Sequence, residues 1–124
     1  MKIESIRTTP LLAPLSRPLT NASGVIEQVP LVLVDLVTSE GITGRAYVLV
    51  YFTQLLKALN ETVHGLGAMV KGMDLSPREI NATLHRRVRL LGAKNLTGMA
   101  LAGIDMAAWD AFARAQKLPL AEAL

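Results

Sequence analysis

The chain has 124 residues, of which 51% are hydrophobic and 19% are charged, and its net charge is +3. This length and composition fit one folded domain with a hydrophobic core and exclude a disordered chain. The absence of cysteine excludes a disulfide framework and a thiolate metal site.

Composition also limits the partners and the location that we expect. No apolar run reaches the ~18 residues of a membrane span, and the N-terminus lacks the unbroken apolar core of a signal peptide. The main basic cluster, residues 85–89, would spread around a helix instead of forming one patch. We therefore expect a soluble, cytoplasmic protein that binds neither a membrane nor a nucleic acid.

The first thirty residues predict one strand and a long loop. Residues 2–9 predict a strand, because their isoleucines offer apolar contacts and their threonines favour extended backbone. Pro10, Pro14 and Pro18 then remove three backbone donors, so residues 13–29 are predicted to form a loop. A loop of this length is either a flexible linker or a lid that acts in binding. Its apolar residues favour the lid.

Two further strands are predicted to complete a sheet. Residues 30–38 are rich in Val and Leu on both faces, which is typical of a central strand. Asp35 interrupts one face, and we expect it to reach the rim or to pair with Arg45. A short turn containing Gly41 leads into residues 42–51, so the three strands are predicted to form an antiparallel meander.

Three main helices are predicted after the sheet, at residues 53–70, 77–91 and 97–116. The first two follow the helical period of apolar residues, and Ser76 with Glu79 forms the pattern of a capping box. Asn95 or Thr97 is expected to cap the third helix.

The third helix carries a stripe of small residues at helical spacing, formed by Ala100, Gly103, Ala107 and Ala111. Such a stripe predicts a central packing helix, and it also permits close packing against a structure outside this chain. Together the elements predict one α+β domain over residues 1–124, a three-stranded antiparallel meander followed by three main helices.

No residue pattern in the chain predicts a reactive centre. His64 and His85 lie on different predicted helices without metal-binding spacing. Asp105 and Asp110 lie ~140° apart around one helix at ~100° per residue, so they cannot bind one ion together. We therefore predict no catalytic residue and no metal site in this chain. Asp105 is expected to accept hydrogen bonds where its helix meets the sheet.

Two long segments resemble a known family. The string PLVLVDLVTSEGITGRAYVLVY, followed by two helices and then by MALAGIDMAAWDAFARAQKLPLAEAL, resembles the N-terminal capping domain of the enolase superfamily. The type is that of mandelate racemase and muconate lactonizing enzyme, and the similarity is greatest to the mandelate racemase group. In this family the domain covers the mouth of a (β/α)₈ barrel, which these 124 residues do not contain.

The resemblance implies a function that the chain shares with a barrel domain. The barrel binds Mg²⁺ and removes the proton next to the carboxylate of a hydroxy acid, as a racemase or a dehydratase does. The implied partners are the barrel and a small carboxylate-bearing substrate, in a homo-oligomer, and the chain alone is expected to be inactive. The apolar residues 118–124 would then begin an element that continues in the intact protein. The alternative is a free-standing, non-catalytic interaction module of the same fold.

The resemblance also implies which residues face the substrate. The predicted loop at residues 13–29 corresponds to the family's capping loop, which folds over the substrate and helps to select it. Its expected ligand-facing residues are Leu19, Asn21, Val25 and Ile26. Tyr47 and Tyr51, near the end of the third strand, correspond to residues close to the site. The substrate itself cannot be inferred from the resemblance, because these loops vary greatly.

Overall fold

The computed structural model describes all of residues 1–124 and contains one three-stranded sheet with helices packed on one face. The elements are β1 (Ile3–Asn21), β2 (Gly24–Thr38), β3 (Thr43–Leu49), α1 (Leu56–Ala68), α2 (Pro77–Arg87), α3 (Asn95–Gln116) and α4 (Leu120–Ala123). The antiparallel strand order β1-β2-β3 confirms the predicted meander followed by helices. None of these helices combines the length and the apolar character that crossing a bilayer requires.

The predicted loop at residues 13–29 is wrong. β1 continues to Asn21 and β2 begins at Gly24, so the two strands form one long hairpin with a turn at residues 22–23. The predicted strands at residues 2–9 and 30–38 are only the proximal parts of these longer strands. The lid hypothesis therefore applies to a paired β-ribbon and not to an irregular loop.

The prolines of β1 are compatible with the hairpin because of where their nitrogens point. Val50 donates its N–H to the carbonyl of Pro30 at 3.1 Å, so the backbone polar groups of Pro30 face β3. Backbone direction alternates along a strand, and Leu12, opposite Pro30, must therefore face away from β2. Pro10 and Pro14 share this orientation. Their nitrogens lie on the outer edge of the sheet, where no bond of the ladder is lost.

The hairpin ladder has an interruption that divides it into two parts. Pro14 lies opposite Gln28, but the next paired residues are Leu19 and Ile26, so residues 15–18 lie opposite Glu27 alone. We call residues 15–27 the distal hairpin, and residues 3–14 with residues 28–38 the proximal hairpin. Only the proximal hairpin pairs with β3, whose ladder on β2 runs from Leu31 to Val37.

The core lies between the helices and one face of the sheet. Alternate residues of β2 on that face are fully buried, namely Val32, Val34 and Leu36. The opposite face, with Leu31, Leu33 and Val37, is only partly covered. The alternation of side chains along the strand thus correctly predicted which residues share each face of β2. The predicted central position of β2 in the sheet is confirmed. The helices complete the core with Leu59, Val63, Ile80, Leu84 and Ile104.

The stripe of small residues on α3 packs on the chain's own sheet. Ala100, Ala107 and Ala111 are fully buried. A Cβ atom placed on Gly44 of β3 would overlap the carbonyl oxygen of Ala107 and lie 2.5 Å from the backbone nitrogen of Ala111. The close approach therefore occurs between α3 and β3, and the alternative that the stripe packs against a structure outside the chain is wrong.

Several predicted element boundaries and caps also differ from the structure. The helix predicted at residues 53–70 begins as a 3-10 turn at Thr53–Leu55, and the one predicted at 77–91 ends at Arg87. The third helix begins at Asn95 after Lys94, so neither predicted cap precedes it, and the third strand is shorter than residues 42–51. Ser76 precedes α2 as predicted, but its side chain makes no capping bond. Sequence alone does not determine such terminal geometry.

The predicted polar pairs are partly confirmed. Asp35 lies opposite Arg45 in the sheet, and Asp35 Oδ1 is 3.7 Å from Arg45 Nε. Asp105 does accept a hydrogen bond, but the donor is Asn81 Nδ2 of α2 at 3.0 Å and not a group of the sheet.

Candidate functional site

The distal hairpin projects beyond the body of the sheet as a two-stranded ribbon. The last pair between β2 and β3 is Leu31 with Leu49, whereas β2 begins seven residues earlier, at Gly24. Pro30 still accepts the N–H of Val50, so residues 24–29 lack a partner on that side, and at about 3.3 Å per residue they correspond to roughly 20 Å of strand. The ribbon therefore exposes side chains on both faces near its tip.

The turn at the tip is fixed by a side chain. Asn21 Oδ1 accepts a hydrogen bond from the backbone N–H of Ser23 at 2.8 Å, which is the geometry of an Asx turn. Gly24 follows with φ +133°, a backbone conformation that residues with a side chain rarely adopt. Asn21 and Gly24 are also paired across the hairpin. The tip is thus an ordered tight turn.

A cleft of about 390 Å³ lies between this tip and the segment that follows β3. Its lining residues are Asn21, Ser23, Gly24, Val25, Ile26, Tyr51 and Phe52. Four of the six residues that the sequence predicted to face a ligand are therefore together, namely Asn21, Val25, Ile26 and Tyr51. The side chains of Val25, Tyr51 and Phe52 are more than 60% exposed, so the cleft offers open apolar surface.

The other two predicted residues lie outside the cleft. Leu19 is the cross-strand partner of Ile26 and is 56% exposed, but it does not line the cleft. Tyr47 lines a different groove of about 610 Å³ between β3, α3 and the C-terminal residues, with Met106, Trp109 and Leu124. Tyr47 and Tyr51 share a face in the sequence pattern, but four residues of strand separate them by roughly 13 Å.

Phe52 was not predicted from the sequence as a lining residue. Phe52 directly precedes the helix predicted at residues 53–70, and in the structure it precedes the 3-10 turn and is 64% exposed. Its position directly after Tyr51, at the end of the third predicted strand, was the available signal.

The cleft has no charged lining residue. Its polar side chains are the amide of Asn21 and the hydroxyls of Ser23 and Tyr51. The charged pairs lie elsewhere, at Arg114 with Asp110 on α3 and at Lys2 with Asp74 beside the start of β1. The hydrogen bond from Lys2 Nζ, 2.8 Å away, and the charge of that ammonium group lower the pKa of Asp74. The cleft thus suits an uncharged, largely apolar group.

The residues of this chain do not fit a magnesium site. No three His, Asp or Glu side chains come together in a way that could hold a metal ion. The acids of α3 are also engaged, because Asp110 Oδ2 accepts from the backbone N–H of Arg45 and from Arg114 Nε, and Asp105 accepts from Asn81. What the arrangement can do chemically is to cover an apolar group and exclude water from it.

Fold and cleft together define an α+β domain with an open, largely apolar cleft at the end of a projecting ribbon. The family model described as the N-terminal domain of mandelate racemase / muconate lactonizing enzyme matches residues 3–124. The chain therefore belongs to this enolase-superfamily family of N-terminal domains.

Solved structures agree with this assignment. An enolase from Bradyrhizobium, complexed with magnesium and mandelic acid, is 38% identical with a TM-score of 0.92, over 98% of this chain and 34% of that chain. An enolase from alpha proteobacterium bal199 with bound magnesium is 36% identical with a TM-score of 0.90, over 98% and 33%. A dipeptide epimerase from Enterococcus faecalis, complexed with magnesium and L-Leu-L-Tyr, is 25% identical with a TM-score of 0.83, over 98% and 34%. The chain thus spans about a third of the length of these proteins.

Proposed function

We propose that this chain is the substrate-capping and specificity domain of a magnesium-dependent enolase-superfamily enzyme. The reaction is removal of the proton α to the carboxylate of a hydroxy acid, leading to racemisation or dehydration. The observation that carries the proposal is the open apolar cleft at the end of a projecting ribbon, in a domain that matches this family from residue 3 to residue 124.

The chemical groups of this chain determine which part of the function it performs and which part a barrel domain performs. A barrel domain binds the metal and supplies the bases. The metal stabilises the negative charge that develops on the substrate carboxylate. The distal hairpin lies over the substrate. Val25, Ile26, Tyr51 and Phe52 contact its uncharged end and exclude water, which strengthens electrostatic interactions beneath them. Leu19 packs beside Ile26 on the ribbon and supports that surface.

The same proposal defines the partners. The barrel domain is one, and the groove that contains Tyr47, Met106 and Leu124 offers an apolar surface on which it docks. The substrate is a small carboxylate, in keeping with the mandelic acid and magnesium of the Bradyrhizobium relative. The working protein is a homo-oligomer in the cytoplasm.

The proposal is tested by a fusion of residues 1–124 to the remaining two thirds of the Bradyrhizobium protein. Calorimetry measures the binding of mandelic acid with and without magnesium, and NMR in D₂O measures exchange of the α-proton for a panel of hydroxy acids. We expect magnesium-dependent binding and exchange by the fusion, and neither by residues 1–124 alone. Val25→Ser should weaken mandelate binding, whereas Leu90→Ser, which changes a 98% exposed leucine outside the cleft, should not.

Two outcomes would contradict the proposal. Exchange catalysed by residues 1–124 alone would mean that the chain has its own reactive centre. A fusion that binds magnesium but has the same affinity for mandelic acid with and without the distal hairpin would remove the capping role. The free-standing module would then be the better account, and it predicts that residues 1–124 form a monomer or one defined oligomer without binding a hydrophobic dye.

A further inference from the structure

The amide of Asn21 differs from the other polar groups of the cleft in its hydrogen-bonding capacity. The hydroxyls of Ser23 and Tyr51 can each donate or accept. The side-chain oxygen of Asn21, Oδ1, already accepts a hydrogen bond from the N–H of Ser23 at 2.8 Å. Its nitrogen, Nδ2, makes no hydrogen bond within the chain. Because the carboxamide is planar, the bond to Oδ1 also fixes the direction of the two N–H groups. Asn21 therefore has two unpaired N–H groups to offer a ligand, whereas Oδ1 has only one of its two lone pairs left.

We propose that Asn21 is a specificity-determining residue that donates a hydrogen bond from Nδ2 to an acceptor on the uncharged end of the substrate. The inference rests on the proposed function and refines its substrate class. The preferred substrate is a hydroxy acid whose distal end is apolar and uncharged but carries one acceptor oxygen, such as an aryl ether. A purely hydrocarbon end leaves the donor without a partner when the cleft is covered, and an unpaired donor is costly there.

The turn fixes the orientation of this donor. The 2.8 Å bond closes the turn and orients the same amide, so one residue holds the tip and presents the donor. Aspartate at this position keeps an oxygen that accepts from Ser23 but has no N–H to offer. Alanine loses both. The pair of variants Asn21→Asp and Asn21→Ala therefore separates the shape of the tip from its recognition of the ligand.

The experiment uses the fusion and compares ligands of equal size that differ in one acceptor. The probes are 3- and 4-methoxymandelic acid and the matching ethylmandelic acids, and the measured quantity is the ratio of their dissociation constants with magnesium present. We expect Asn21→Asp to lower the preference for one methoxy ligand about threefold to tenfold, the range of a single hydrogen bond. The ratio cancels the repulsion between the new charge and the carboxylate that all the ligands share.

The matched control is Asn95→Asp, which makes the same charge change on α3, outside the cleft. Its ligand ratio should equal that of the unmodified fusion. Hydrogen exchange provides a second readout, because protection of the Ser23 amide should persist in Asn21→Asp and disappear in Asn21→Ala. If the fusion does not fold, residues 13–29 grafted into the Bradyrhizobium protein carry the same comparison.

Three results would overturn the inference. The first is an equal ratio of methoxy to ethyl dissociation constants in the unmodified fusion and in Asn21→Asp, for both methoxy positions. The second is an equal loss of the methoxy preference in Asn95→Asp. In either case Asn21 does not select the ligand although the capping role stands. Loss of all mandelate binding in a folded, magnesium-binding fusion would instead overturn the proposed function, and this inference with it.

Discussion

The proximal and distal parts of one hairpin behave as two different structures. In the proximal hairpin, Ile6, Val34 and Leu36 are buried against the helices, and β2 is paired on both sides. In the distal hairpin, Leu19 and Val25 are more than half exposed, and each strand has only the other as a partner. The interruption at residues 15–18 marks the boundary between them.

The difference separates stability from recognition along a single pair of strands. Apolar side chains contribute to folding only where they leave water, so the proximal residues carry the stability. The exposed apolar side chains of the distal hairpin contribute little to folding, but they remain available to a ligand. Substitutions in the distal hairpin are therefore expected to change specificity with little loss of stability. Substitutions in the proximal hairpin are expected to lower stability with little change in specificity.

The largest effect is expected where α3 meets β3. In Gly44→Ala the new methyl group overlaps backbone atoms of α3, and backbone cannot move aside as a flexible side chain can. We expect a loss of about 3 kcal/mol or more in the free energy of unfolding, measured with urea. Gly65→Ala on α1 is the control, since nothing lies within 4 Å of its added Cβ, and it should gain about 0.5–1 kcal/mol. Equal effects of the two variants would contradict this packing.

A matched pair of valines on β2 tests the comparison directly. Val34 is fully buried and Val25 is 62% exposed. Val34→Ala should lower the free energy of unfolding by about 2 kcal/mol, because it removes buried methyl groups and leaves a cavity. Val25→Ala should change it by no more than about 0.5 kcal/mol while weakening mandelate binding by the fusion. A large stability loss in Val25→Ala would mean that the tip is part of the cooperative fold.

The smallest effect is expected at the pair of Lys2 and Asp74, next to the proximal end of β1. Interaction with Lys2 lowers the pKa of Asp74 in the folded chain. The contribution of the Lys2–Asp74 pair to stability is therefore complete above the pKa of Asp74 in the unfolded chain, about 3.9. It is lost as the pH falls through the lower pKa of Asp74 in the folded chain. Asp74→Asn should be slightly less stable than the unmodified chain at pH 7, and the difference should vanish near pH 2. Urea unfolding at both pH values checks this, and a difference that grows towards acid would contradict it.

Residue periodicity in the sequence predicted much of the fold. The strand order, both faces of β2 and the buried helices came from spacings of two and of three to four residues. The proline-containing ribbon could not be predicted in the same way, because prolines exclude a paired strand only when their nitrogens face a neighbour. That orientation depends on which edge β1 occupies, a property of the assembled sheet.

The candidate site was predicted in part for a related reason. Resemblance indicated the segment, and the structure brings Asn21, Val25, Ile26 and Tyr51 to one cleft. Whether these residues contact a substrate stays a prediction. Tyr47 was named with Tyr51 because the resemblance places both near the site, but four residues of strand separate them and Tyr47 lines a different groove. Phe52 was missed because its neighbours fit a helical period that begins only after it.

The two edges of the sheet also bear on how the chain avoids aggregation. An exposed edge with free N–H groups can add a strand from another molecule. Along β1, the longest edge of this fold, Pro10, Pro14 and Pro18 leave three positions with no N–H to donate. On β3, the carboxylate of Asp110 accepts the outward N–H of Arg45 at 2.8 Å. The same prolines that obscured the strand in the sequence therefore keep a long ribbon from serving as a template for further strands.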